Sequence, residues 1–302
     1  MRFIRTKAVI ATVGLALSLA ACGDAGDDGG EATDVEVQEN AADEFEDGTA
    51  MKDFADSGEI TIGVKYDQPG IGFKGATDDM PVGFDPEIGK ILAASLGIAP
   101  EDVTWKETIS DNREPFLQSG EVDLVLASYS ITDERRAVVG QAGPYYVTGQ
   151  QLLVAADSDI ETLEDVAGTE VCSVTGSTSA QRIKDEYAKG VQLVERPGYA
   201  ECVTALTAGQ VDAVTTDDII LAGLASTDAN QGKFKVVGNT FSEERYGVGL
   251  PDGSDQCEAV NEAITKMIDE GAWEEAVTAN TEGADYTYNA ELNPPEPEPC
   301  GE

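Results

Sequence analysis

Lys65, Arg113 and Arg135 stand at a strand end, in a loop and beside a serine-rich segment, in a chain with 19 Lys and Arg against 58 Asp and Glu. Where so few cations fall is informative. A guanidinium offers a planar, bidentate fork to a carboxylate, so the two arginines are candidates for holding a small acid. Arg135 closes the run Ser128-Tyr129-Ser130-Ile131-Thr132-Asp133-Glu134-Arg135, with hydroxyls at Ser128 and Ser130. Further along, Gly176-Ser177-Thr178 leads from an expected strand into an expected helix, where backbone N–H groups suit an anion. Asp217 brings a carboxylate to another strand end, with Asp218 as its competitor. The plainer readings are a solvated helix charge for Arg135, helix caps for Thr178 and Asp217, and a surface pairing of Arg113 with Glu114 or Asp111.

Other chemistries are closed off. The chain has no histidine, which rules out Ser-His-Asp triads, Cys-His pairs, HExxH zinc sites and histidine proton shuttles. The cysteine spacing does not form a metal site, and neither metal nor cofactor is expected. A formal charge of −39 excludes nucleic acid as a partner. It keeps the protein soluble and suits a saline or alkaline exterior.

The elements that must position these residues come as a repeat. Ser119-Gly-Glu-Val-Asp-Leu-Val-Leu-Ala-Ser128 is echoed by Ala208-Gly-Gln-Val-Asp-Ala-Val-Thr-Thr-Asp217. In each copy a helical segment stops at a glycine and yields to a short apolar run, as a buried parallel strand requires. Ser128 and Asp217 then occupy equivalent strand ends. Ligands of open α/β sheets bind beyond the carboxyl ends of strands, so two lobes face to face would put these residues on opposite walls of one cleft. The pattern predicts strand, helix, strand, helix, strand over Glu59–Ala127, with Asp85 capping a helix and Pro86 in its first turn. Gln150–Ala155 crosses to a second α/β lobe, Tyr246–Leu250 returns, and one helix spans Glu258–Ala279. The expected lobes are 51–149 with 248–302, and 150–247, joined by a two-strand hinge that permits rotation.

Arg2, Arg5 and Lys7 precede a short apolar run ending Leu19-Ala20-Ala21-Cys22. The run is too short to span a bilayer and ends in small residues, so 1–21 reads as a signal peptide. Residues 22–50 are acidic, lack Lys and Arg and cannot bury enough surface to fold; they read as a disordered tether with a reach of roughly 30 Å. Cys172, Cys202, Cys257 and Cys300 imply two disulfides with three possible connectivities. Cys172 with Cys202, both in the second lobe, and Cys257 with Cys300, pinning the proline-rich tail, is the favoured pairing.

From Glu59 to Ala279 the chain resembles the extracytoplasmic solute-binding proteins that feed polar amino acids to ATP-driven importers, a periplasmic-binding-protein-like type II fold. Gly83-Phe84-Asp85-Pro86-Glu87-Ile88 is similar to a signature of that family, with Pro86 where an aliphatic residue is usual. Ser128 to Arg135 resembles its Ser-x-Ser/Thr-x4-Arg segment, and Gly176-Ser177-Thr178 its Gly-x-Thr turn. The resemblance implies that Ser130, Arg135 and Thr178 hold an amino acid's α-carboxylate, while Ser128 and Asp217 receive its ammonium. Asp111-Asn112-Arg113-Glu114-Pro115 resembles the arrangement in acidic-amino-acid binders, which implies that Arg113, with Lys65, meets a distal carboxylate. Such a contact at 4 Å is worth about 4 kcal/mol gross at an effective dielectric of 20, so glutamate or aspartate is expected before glutamine. Leu-Ala-Ala-Cys resembles a lipobox, which implies a lipid on Cys22 and anchorage at the outer face of the cytoplasmic membrane. The implied partners of this monomer are an amino acid, a permease and its ATPase. Two rivals share the scaffold: a sensory lipoprotein, and a cyclohexadienyl dehydratase-like enzyme, for which the clamp leaves no evident spare acid.

Overall fold

The computed structural model describes residues 35–187 and 190–300; the leader over 1–21, Cys22 and the first part of the tether lie outside them. The rest of the expected tether is folded onto the first lobe. The Gln38 N–H donates to the Ala94 carbonyl at 2.9 Å, the buried Ala41 starts a 3-10 turn, and Phe45 packs against the core. Ala41 and Phe45 supply apolar burial that the acidic composition masks. Thr49 then caps helix α1 (Ala50–Ser57), accepting from the Lys52 N–H.

The first lobe continues with strand β1 (Ile60–Val64), a hairpin of β2 (Asp67–Gln68) and β3 (Gly72–Phe73), helix α2 (Phe84–Ser95), β4 (Val103–Glu107), α3 (Arg113–Ser119), β5 (Leu124–Leu126), the single turn α4 (Asp133–Arg136) and β6 (Gly140–Thr148). After one crossing come β7 (Gln150–Ala155), β8 (Glu170–Val174), α5 (Thr178–Arg182), β9 (Gln192–Arg196), α6 (Tyr199–Thr207), β10 (Ala213–Asp217), α7 (Asp218–Ser226) and β11 (Phe234–Val237). The chain then returns through β12 (Glu244–Leu250) to α8 (Cys257–Asp269) and α9 (Ala272–Thr281).

Two five-stranded sheets result, ordered β4-β1-β5-β12-β6 and β11-β7-β10-β8-β9. β1 runs parallel to β4 and β5, and β10 parallel to β8, while β12 and β7 run antiparallel to their neighbours. The repeated motif therefore supplies the central strand of each sheet, β5 and β10.

Several expectations shift. β12 pairs with β6 from Glu244 to Leu250 and with β5 at Gly249, so the return crossing lies between Val237 and Glu244, ahead of the expected boundary at 247/248. The two crossings touch: Gly149 lies against Thr240 and Ser242, and the Phe241 N–H donates to the Gln150 carbonyl at 3.0 Å. The helix expected over Glu258–Ala279 is two helices, because Gly271 takes a left-handed conformation, φ 84°, between them. Gly83, not Asp85, precedes α2, and Asp85 points into the core. Disulfides join Cys172 to Cys202 and Cys257 to Cys300. An aromatic cluster of Phe84, Tyr145, Tyr146, Tyr246 and Trp273 fills the first lobe beneath the hinge strands.

Candidate functional site

The central strands of both sheets end at one place. β5 runs into Ala127 and Ser128, whose backbone is left-handed, φ 43°, a conformation that non-glycine residues adopt at a cost. What holds it is Asp85: one carboxylate oxygen accepts the Ser128 N–H at 2.7 Å and the other accepts the Tyr145 hydroxyl at 2.6 Å. Burial pushes the Asp85 carboxyl up to about 6, with the Tyr145 and Ser128 hydrogen bonds opposing. β10 ends at Asp217, whose Oδ2 accepts the Tyr246 hydroxyl at 2.6 Å, while Oδ1 is buried without a partner. Its carboxyl is held well above the usual range by burial and by neighbouring Glu244.

Arg113, Ser128, Thr178 and Asp217 line a cavity of about 10 Å³ between the lobes, together with Ser110, Tyr199, Thr216 and Ile220. Ser130 and Arg135 border it: Ser130 Oγ is 3.4 Å from Thr178 Oγ1, and Arg135 donates to the carbonyls of Ser130 (2.6 Å) and Gly176 (3.2 Å). Lys65 reaches the cavity only through Ser110, to whose Oγ its Nζ donates at 2.7 Å. A volume of this size holds a water molecule, so an amino acid enters only when the lobes part.

The plainer readings of these residues do not fit the geometry. Arg135 is 8 % exposed, so it is not a solvated helix charge; its Nε pairs with Glu114 at 3.2 Å. Ser177, not Thr178, caps α5, accepting from the Ala180 N–H. Asp217 precedes α7 without making a side-chain cap bond. Asp218 is satisfied by the Thr148 hydroxyl, the Tyr286 hydroxyl and the Ile219 N–H, which leaves Asp217 as the carboxylate with an oxygen to offer.

Arg113 is more committed than a loop residue would be. It opens α3, is buried, and donates to the carbonyls of Ser110, Ala127, Ser128 and, across the cleft, Gly176. Its guanidinium and that of Arg135 lie 4.5 and 4.7 Å from the centre of the Tyr129 ring. Neither Lys65 nor Arg113 forms an ion pair among the described residues. Burial, with Arg113 adding repulsion, lowers Lys65 to about 7. Burial and then Arg135 lower Arg113 to about 10. One wall thus carries buried cations short of counter-charge, and the other an aspartate short of a donor.

Ser110, Asp85, Tyr199, Thr216 and Tyr246 were not anticipated as site residues. Asp85 had a signal, since an acid amid apolar residues is either a cap or a buried anchor. The others carry no local mark, because strand pairing and lobe closure bring them together.

Comparison with known proteins places the chain. Residues 60–279 match the family model for bacterial extracellular solute-binding proteins, family 3. The chain is 41 % identical over 252 residues to the glutamate-binding protein GluB of Corynebacterium efficiens, covering 80 % of this chain and 84 % of that protein. It is 35 % identical to the ABC transporter glutamine-binding protein GlnH of Bacillus subtilis, covering 91 % and 96 %. Among solved structures, an ancestral arginine-binding protein bound to arginine aligns with TM-score 0.68 at 33 % identity, over 75 % of this chain and 99 % of that one.

Proposed function

Because the chain belongs to the bacterial extracellular solute-binding proteins, family 3, we propose that it is the amino-acid receptor of an ATP-driven importer, with glutamate as its first ligand and aspartate or glutamine as lesser ones. The observation that carries this reading is the polarity of the cleft. The buried, unpartnered Oδ1 of Asp217 faces an α-ammonium. Ser130, Arg135 and Thr178 receive the α-carboxylate, and Arg113 with Lys65 forms the distal subsite. Burial first, and then repulsion from Arg113, depress Lys65; a distal carboxylate there favours its charged form, which a neutral amide does not. The names of the GluB and GlnH relatives support the same ligand class.

Binding is coupled to closure. A ligand that touches both walls favours the closed arrangement by its differential affinity, and the reading requires no covalent chemistry. Export by the leader and a lipid on Cys22 complete the receptor, handing the closed complex to a permease. Among the described residues no helix is long and apolar enough to cross a membrane.

Calorimetric titration of the full chain in detergent with L-glutamate, L-aspartate and L-glutamine tests the proposal. Glutamate binds in the micromolar range, about −8 kcal/mol, and glutamine at least tenfold more weakly. Lys65→Met removes that preference. Equal affinity for glutamate and glutamine, unaltered by Lys65→Met, would remove the acidic subsite; silence toward all three would remove the receptor.

A further inference from the structure

We propose that the hairpin Asp67–Phe73 of the first lobe is the closure latch of this receptor, a set of positioning residues that fix affinity and release rate without lining the ligand cavity. The inference rests on the closure-coupled binding proposed above.

Helix α6 of the second lobe starts after Gly198, which has no side chain to cap it. The first N–H groups of a helix lack intrahelical partners. Here the cap comes from the other lobe: Asp67 Oδ2 accepts the Tyr199 N–H at 2.6 Å and lies 3.5 Å from the Ala200 nitrogen. A carboxylate at this position also meets the positive end of the helix dipole. The residue so capped matters, because Tyr199 lines the cavity and its hydroxyl accepts from Thr216 Oγ1 at 2.7 Å.

Two glycines make room for the hairpin. A Cβ on Gly198 would lie 2.6 Å from Asp67 Oδ2, and one on Gly223 would collide with the Pro69 carbonyl oxygen. Neither glycine has a left-handed backbone, so close approach alone explains the missing side chain. Gly223 lies inside α7, Asp218–Ser226, where glycine is a poor helix former compared with alanine. That local loss of helix propensity is what a seat for the Pro69 turn requires. From behind, Gly70 rests against the Asn280 carbonyl of α9, which braces the hairpin on its own lobe.

These contacts join residues of different lobes, so they form on closure and multiply the closing equilibrium whatever the ligand contributes. Their loss is felt in dissociation rather than association.

The test uses the full chain in detergent with L-glutamate as probe, comparing wild type, Asp67→Ala and Gly223→Ala. Asp67→Ala weakens binding about 3- to 30-fold, the range of a lost helix cap, with the change in the dissociation rate and the ligand-free melting temperature unmoved. Gly223→Ala weakens binding at least as much yet raises the ligand-free melting temperature, since alanine favours the helix. A purely structural role would move affinity and melting temperature downward together, and that result overturns the latch, as do unchanged dissociation rates in both variants. Hydrogen exchange at the Tyr199 and Ala200 amides under saturating glutamate reads the latch in the closed state, and Asp67→Ala accelerates it. If wild type ignores glutamate, the glutamate reading fails and the same comparison is run with L-glutamine: unaltered dissociation and protection in Asp67→Ala overturn the latch.

Discussion

Asp217 has one oxygen bonded to Tyr246 and the other enclosed without a partner, an arrangement that is costly until a donor arrives. Its raised carboxyl has a definite sign for stability. The folded state holds the proton more tightly than the unfolded chain, so stability falls as pH climbs from the ordinary carboxylate range through the raised value. Asp217→Asn, which cannot ionise, is therefore expected to flatten this dependence and leave the ligand-free protein at least as stable at neutral pH. It should also weaken glutamate binding about 30-fold or more, since the ligand ammonium is then buried without a counter-charge. Thermal melts across pH, paired with calorimetry, check both halves. A variant that binds like wild type would remove Asp217 from the ammonium site. The neighbouring Asp218 illustrates why residue type alone could not choose between them: only the enclosing hydroxyls and N–H show that it has nothing left to offer.

Among elements, the tail after α9 has no regular structure yet is densely held. The Asn293 side chain bonds both the N–H and the carbonyl of Val147 on hinge strand β6. Glu298 pairs with Arg136 at 2.8 Å and with Arg245 of hinge strand β12. Cys300 closes a loop of sequence separation 43 back to Cys257. For a loop of that length, loss of the bond through Cys257→Ser with Cys300→Ser is expected to lower the unfolding free energy by about 2–4 kcal/mol. Denaturant midpoints under oxidising conditions measure it, and an unchanged midpoint would show that the tail's polar contacts suffice alone. The prolines of this segment suit its extended, irregular conformation. They do not reveal its bonding, because the partners Val147, Arg136, Arg245 and Cys257 lie on other elements far away in sequence. Residues 35–49 show the converse, a stretch acidic enough to read as solvated in which a few apolar side chains suffice for docking.

Across the molecule, a formal charge of −39 repels itself most strongly when the chain is compact. Raising sodium chloride from about 0.05 to about 0.5 M shortens the screening length from above 10 Å to below 5 Å. The ligand-free melting temperature is expected to rise by a few degrees. A falling melting temperature would mean that attractive pairs such as Arg182 with Glu244 and Lys184 with Glu195 outweigh the repulsion.

By itself the sequence determined the two-lobed α/β plan. The repeat around Ser128 and Asp217, the glycine stops and the apolar runs are local signals of strand and helix, and such signals survive without knowledge of the partner strand. It also determined which chemistries were impossible, through the missing histidine. The place where the lobes part came from tertiary pairing, since β12 joins the first sheet by hydrogen bonds that no local pattern encodes. Tertiary contacts likewise decided that Asp85 anchors Ser128 instead of capping a helix, that Lys65 donates to Ser110, and that Asp67 caps a helix of the opposite lobe. Each depends on distance between residues remote in the chain, and distance is what folding supplies.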